Sequence, residues 1–350
     1  MNRWRPVPLA KTRRPCHVYA MLGVASLRAR ALRGLGALLS LLATAAPAAA
    51  QGGAVDPLMA PRASALIRQG ERRVASDMLG RYLAIAQEDG RAWLQMGRIY
   101  LLDARDWHAH HAGEPDATLY LEFAAASLDM AGRLARDSGA VFRGLVEMER
   151  ATLVYEDSGW VATQRVFVGR DLPLLPPAMR ELGDNLLASC PSGGILVTGG
   201  DTETVSAWYA ALQRTAKEPV VPVRPDLYVT DQHYRERTAK LLNVDPRLPL
   251  RDAITAAASR RPVCITPSAD SAAVPVMTWR VSRLVRLSRG ETPRESALSF
   301  SAFLEESQAG SSEWVVATRE VYERAARFNP QLCPALTAVF TGAPPVACRP

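Results

Sequence analysis

From Pro61 to about Tyr155 apolar residues recur at three- and four-residue spacing and proline is nearly absent, a pattern that predicts consecutive amphipathic helices. The texture changes after Gly169. Residues 169–192 are proline-rich and read as a linker carrying one helix. Ile195-Leu196-Val197 then predicts a short buried strand, Gly199-Gly200 a turn, and the stretch from Thr202 or Thr204 through Trp208 to Arg214 a helix capped by one of those threonines. A second strand is expected at Asp226–Thr230, a helix from about Asp231 to Leu242, another over Leu250–Ser259, and a third strand at Pro262–Thr266. Residues 313–328 form an amphipathic helix with Trp314, Tyr322 and Ala325 on one stripe, ended by Asn329-Pro330. Strands alternating with helices imply a parallel sheet with right-handed crossovers. The expected fold is therefore mixed: an α-helical N-terminal domain at 51–168, a small Rossmann-like parallel-sheet α/β domain at 193–290, and C-terminal helices with a cysteine-containing tail at 291–350.

The helical half carries one specific spacing. Trp93, Met96, Gly97 and Tyr100 stand as W-x2-L-G-x2-Y with Met in the Leu slot. Ala75, Leu79 and Tyr82 precede them, and Ala124, Leu128 and Ala131 follow, each at the spacing of a packed second helix. Phe142 and Leu145 open a further first helix. These residues resemble degenerate tetratricopeptide repeats, a family whose resemblance implies a protein- or peptide-binding surface. Trp93 and Phe142 are about 15 residues further apart than one repeat of about 34 allows. The surplus fits a polar excursion at Asp103–Leu119, which holds His108, His110 and His111 among Asp103, Asp106, Glu114 and Asp116. Clustered imidazoles and carboxylates ligate zinc or copper, so this excursion is either a surface metal site or plain polar connection.

Residues 34–50, GLGALLSLLATAAPAAA, follow Arg28, Arg30 and Arg33. Basic residues, an apolar run and small residues in that order predict a signal peptide over 1–50, cleaved after Ala50 to leave Gln51 first. Starting at Met21 would give a leader of ordinary length. The run is too short and alanine-rich for a good membrane anchor, so no span is expected after cleavage. No cysteine follows it in a lipobox-like setting. Export to the periplasm or beyond changes how the cysteines are read. Cys190, Cys264, Cys333 and Cys348 are an even set in an oxidising compartment. Cys333 and Cys348 enclose a short Pro- and Gly-containing loop and make the easiest local pair. Cys190 and Cys264 then remain, although Cys264 inside a buried strand serves equally as a small hydrophobe.

Charge narrows the function. The chain has net charge +7, but residues 1–50 hold eight of its 42 basic residues and no acid. What remains is 34 basic residues against 35 acidic, a net of −1, which gives no electrostatic footprint for nucleic acid. There is no G-x-G-x-x-G, no G-x-x-x-x-G-K-[ST] and no G-x-S-x-G, so no nucleotide cofactor is expected and an esterase has no support.

Candidate chemistry concentrates where strands meet helices. Ligands of open parallel sheets bind beyond the strands' carboxyl ends. Asp201 follows the first expected strand, Asp231 the second and Asp270 the third. Gly199, Gly200, Asp201, Glu203, Thr204, Asp231 and His233 are the candidate ligand residues, able to hold a cation or a sugar if they share one cleft. As helix N-caps they would instead each serve their own helix. Trp208 and Tyr209 sit mid-helix and read as packing residues.

The stretches LVTGGDTETVSAWYAAL, RPDLYVTDQHYRERTAKLL, RRPVCIT and VMTWRVSRLVRL together resemble the soluble tail of the protein O-mannosyltransferase-like membrane glycosyltransferase family. The residues that carry this are Gly200, Asp201, Glu203, Thr204, Trp208, Tyr209, Arg224-Pro225-Asp226, Tyr234, Arg261-Pro262 and Arg283-Leu284, within residues 193–290. Glu203 stands where that family has Asp, and the third strand ends in Thr-Pro. The matched stretch excludes the family's transmembrane catalytic portion, so glycosyl transfer is not carried over. The resemblance implies an envelope-associated α/β module joined to helical repeats. The expected function is an exported non-catalytic scaffold or binding protein whose partner is a protein or peptide, with a glycan as the other candidate ligand. The alternative is a carbohydrate-active or metal-assisted hydrolase using Asp201, Glu203 and Asp231.

Overall fold

The computed structural model describes residues 55–350 apart from 111–115, 135, 174, 271–272, 294–296, 311, 341 and 350. The expected leader, with its cleavage point, and His111 lie outside the described residues.

Two helical hairpins come first: α1 (Met59–Arg68) with α2 (Arg72–Leu83), then α3 (Gly90–His110) with α4 (Asp116–Leu134). A Cβ added at Gly97 would lie 2.5 Å from Leu128 Cγ, so the missing side chain is what lets α3 and α4 cross this closely. Ala75, Leu79 and Tyr82 are buried with Met96, and Trp93 and Tyr100 pack at the edge of that cluster. The expected excursion at Asp103–Leu119 is mostly helix. The α3 helix runs on through His110, because Leu101 and Ala104 continue its buried stripe and no proline or glycine interrupts it. The surplus length is thus largely extra turns of α3 and α4. Helices α5 (Arg136–Ser158), α6 (Trp160–Phe167) and α7 (Pro177–Ala188) lead to the sheet.

Among the described residues the sheet has five short strands in the order β2-β1-β3-β5-β4. β1 (Ile195–Val197) is central and pairs in parallel with β2 (Val221–Val223) and β3 (Val263–Ile265). A hairpin of β4 (Arg280–Ser282) and β5 (Val285–Leu287) adds to β3 antiparallel. The sheet is therefore mixed and not purely parallel. Arg283 takes a left-handed φ of 53° between the two hairpin strands, which a two-residue turn requires.

The second strand also lies elsewhere than expected. Residues Asp226–Thr230 are not a strand: they belong to α9 (Pro225–Thr230), which Pro225 opens at a first-turn position where its missing N–H costs nothing. The strand is Val221-Pro222-Val223, and β2 can contain Pro222 because it is an edge strand. Val221 N–H donates to Gly194 O at 3.0 Å and Val223 O accepts Thr198 N–H at 3.1 Å, so Pro222 nitrogen falls on the unpaired side.

Helix α8 (Gly200–Leu212) connects β1 to β2, and α10 (Gln232–Leu242) and α11 (Leu250–Ala258) precede β3. The chain closes with α12 (Ser301–Ala309), α13 (Glu313–Phe328) and α14 (Cys333–Val339). One cluster of buried apolar residues runs from Leu101 to Phe340 and takes in both halves. At its centre Trp208 is fully buried, with Trp160 edge-on at 5.3 Å and Tyr155 edge-on at 6.2 Å between ring centres. Disulfides join Cys190 to Cys264 and Cys333 to Cys348, so Cys264 is not a free thiol. Among the described residues no helix is long and apolar enough to cross a membrane.

Candidate functional site

A cleft of about 590 Å³ opens at the carboxyl ends of the three parallel strands. Each strand delivers a distinct piece of it. After β1 come Thr198, Gly199 and Gly200. Gly199 is the N-cap of α8, and its Cβ would sit 2.1 Å from the Ala269 nitrogen, so only glycine fits where the β1 and β3 loops touch. Gly200 has φ +68°, the left-handed region open to glycine. The N-cap position of α8 is Gly199, so among the described residues Asp201, Thr202 and Thr204 do not cap it. Thr204 instead donates to Thr198 Oγ1 at 2.9 Å, and Thr198 donates to Val223 O at 3.1 Å, tying the loop to β2.

Glu203 does not face the cleft. It is 1% exposed and works beneath it: its carboxylate accepts Gly199 N–H at 3.2 Å, Ser268 N–H at 3.0 Å and the Thr266 hydroxyl. The carboxyl thus fastens the loop after β1 to the loop after β3. Burial pushes its pKa up to about 7, against the lowering effect of those hydrogen bonds.

After β2 comes Arg224, also buried, whose Nη1 donates to Glu149 on α5 at 2.8 Å and whose Nη2 donates to Asp226 at 3.1 Å. Arg105 on α3 donates to the same Glu149 oxygen at 2.7 Å. Burial raises the Glu149 pKa, but the two guanidiniums outweigh it and hold the group below the ordinary carboxylate value. Arg224 Nε has no hydrogen-bond partner among the described residues. The rim of the cleft carries three exposed carboxylates, Asp201, Asp226 and Asp270, while Met148 and Leu250 supply apolar wall.

Of the acids expected at strand ends, then, Asp201 and Asp270 share the cleft and Asp231 does not. Asp231 lies past the end of α9 and caps α10, accepting Tyr234 N–H at 3.0 Å. Its other oxygen is 3.6 Å from His108 Nε2, and His108 also contacts Glu156. Hydrogen bonding to Glu156 raises the His108 pKa against burial, whereas burial raises that of Glu156 against the pull of His108. His233 is exposed and lies off the cleft. His110 points outward with Nδ1 2.7 Å from Asp106 O, so it does not join His108 in a surface site. Three functional candidates escape the sequence reading: Arg224, Asp226 and Glu156. Arg-Pro-Asp before a helix was the available signal for the first two, since it places a cation and an acid at one strand end.

No protein-family model matches the chain, and neither a curated protein nor a solved structure matches it.

Proposed function

We propose that this is an exported binding protein of the cell envelope. Its α/β half holds a small hydroxylated ligand of glycan type, and its helical half engages a protein or peptide. The observation that carries the ligand reading is the cleft itself, with Asp201, Asp226 and Asp270 on its rim above apolar wall. Carboxylates accept pairs of sugar hydroxyls, and apolar wall packs on the sugar's C–H face. The three loops that build it are fixed to one another by Glu203 and the Thr204–Thr198 hydroxyls, so the site is largely organised before a ligand arrives. Export is supported by the basic, apolar and small-residue order of residues 28–50 and by two disulfides, which persist in oxidising compartments. The protein-binding role draws on a groove of about 480 Å³ between α2, α3 and α4, lined by Trp93, Met96, Tyr100 and Phe123. No cofactor is part of this reading.

The hydrolase alternative in its original form loses Glu203 and Asp231, neither of which lines the cleft. It keeps one support, the three rim carboxylates. Binding of envelope oligosaccharides to the wild-type protein and to Asp201→Asn, followed by chromatography of the incubated sugar, tests both readings. Binding with the sugar returned intact is expected. Shortened sugar would replace the binding role with hydrolysis.

A further inference from the structure

A polar seam runs between α3 and α5 inside otherwise apolar packing. Arg105 and His108 lie on one face of α3, and Glu149, Thr152 and Glu156 lie on the facing side of α5. The seam has two steps, each closed by a residue from the α/β half. In the first, Arg105 and Arg224 share Glu149, and Asp226 takes the second nitrogen of Arg224, so charge balances. In the second, the carboxylates of Glu156 and Asp231 face the single imidazole of His108. With both carboxylates ionised, a protonated His108 balances only one of them, among side chains only 5% and 3% exposed. Arg237 does not supply the balance. Its guanidinium donates to the main-chain oxygens of Glu156 and Asp157, not to either carboxylate. Glu156 Oε1 is buried with no hydrogen-bond partner among the described residues. A buried carboxylate oxygen left bare this way is costly unless something cationic sits against it.

One ligand atom from each of His108, Glu156 and Asp231 lies within 4.8 Å of the other two. Beside them is a cavity of about 20 Å³, lined by His108 and Asp231 together with Arg105 and Glu149, room for about one water. We propose that His108, Glu156 and Asp231 bind a divalent transition metal of the zinc class, with a water in that cavity as a fourth ligand. The two carboxylates neutralise the ion's charge, and the imidazole selects zinc-like ions over magnesium or calcium. Tyr234 N–H holds Asp231 Oδ1 and leaves Oδ2 for the metal, the usual orienting role of a neighbour to a ligand. The ion joins α3 and α5 to the N-terminus of α10 and so clamps the helical half to the α/β half. This site is separate from the rim carboxylates of the cleft and stands whether or not the cleft binds a glycan.

The test uses the purified full chain, stripped with a chelator and refilled with Zn²⁺ alone. One zinc per chain and a rise in the melting midpoint are expected for wild type. Co²⁺ in its place should give the visible absorption of a low-coordinate site with N and O ligands. Glu156→Gln keeps the side chain's shape and should weaken zinc binding at least about tenfold, no less than the loss of a mere neighbour to a ligand costs. The double variant His110→Ala/His111→Ala should bind as wild type does. Zinc that binds through His110 and His111, disappearing in the double variant but persisting in Glu156→Gln, would overturn the proposal. So would a wild-type protein that takes up no zinc and whose melt ignores it, which would make the cluster an imidazolium between two carboxylates. The chelated melt of Glu156→Gln shows independently that the variant is folded.

Discussion

Arg224 donates to Glu149 at 2.8 Å across 75 residues of sequence, and both partners are buried. This ion pair ties the end of β2 to the middle of α5, and it sets the wall of the cleft against the helical half. Glu149→Leu would take the shared carboxylate from Arg105 and leave the buried Arg224 with Asp226 alone. Such a loss typically costs about 3–5 kcal/mol. Urea unfolding of Glu149→Leu should show a drop of that size, and Arg224→Met added to it should recover part of the loss. A double variant no more stable than the single one would deny the pair its coupling.

The Glu203 carboxyl gives the fold a pH dependence whose sign follows from its environment. Its folded pKa, about 7, lies above the ordinary 4.5, so the folded state holds this proton more tightly than the unfolded chain does. The stabilisation is present below the ordinary value and is lost as pH rises through 7, by about 3 kcal/mol in all. Wild type should therefore lose stability relative to Glu203→Gln between pH 4.5 and 7, with the two running parallel above that window. Melting curves of both proteins at pH 5, 6, 7 and 8 measure this. Parallel behaviour throughout would show that Glu203 ionises normally.

The two disulfides close loops of very different length, with sequence separations of 74 and 15. In the chain-entropy picture the longer loop gains more from closure, about 4 kcal/mol against about 3. Cys190 also sits in the core beside β1 and β3, whereas Cys333 and Cys348 lie at the chain's end. Replacing Cys190 and Cys264 by alanine should therefore lower the melting midpoint more than replacing Cys333 and Cys348. Differential scanning calorimetry of the two double variants decides the order.

Much of the fold was legible in the residues, and the failures have physical causes. β1, β3, α8, α10 and α11 follow from apolar runs and turn residues because each lies between clear breaks. The second strand lies elsewhere than expected because Leu227-Tyr228-Val229 is only three apolar residues long. A run that short does not separate period 2 from period 3.6. Pro222 hid the real strand, since only the tertiary arrangement makes β2 an edge. Asp231 leaves the cleft for the same reason: without a strand at 226–230 it ends a helix and caps the next. The three histidines stand in a polar stretch that suggests an excursion between helices. Leu101, Ala104, Arg105 and His108 keep helical spacing, which already puts His108 on the inward face and His110 outside. Its partners could not be read locally, since Glu156 is 48 residues away.

The central claim is that the charge of Asp201, at the mouth of the cleft, serves a ligand and not the fold. Asp201 is exposed and α8 has no side-chain cap, so Asp201→Asn should leave the unliganded melt within about 0.5 kcal/mol of wild type. The decisive measurement is thermal melting of both proteins against a panel of envelope oligosaccharides. The account predicts that at least one sugar raises the wild-type midpoint and that the same sugar leaves Asp201→Asn unmoved. A sugar that shifts both proteins equally, or a panel that shifts neither, would contradict it.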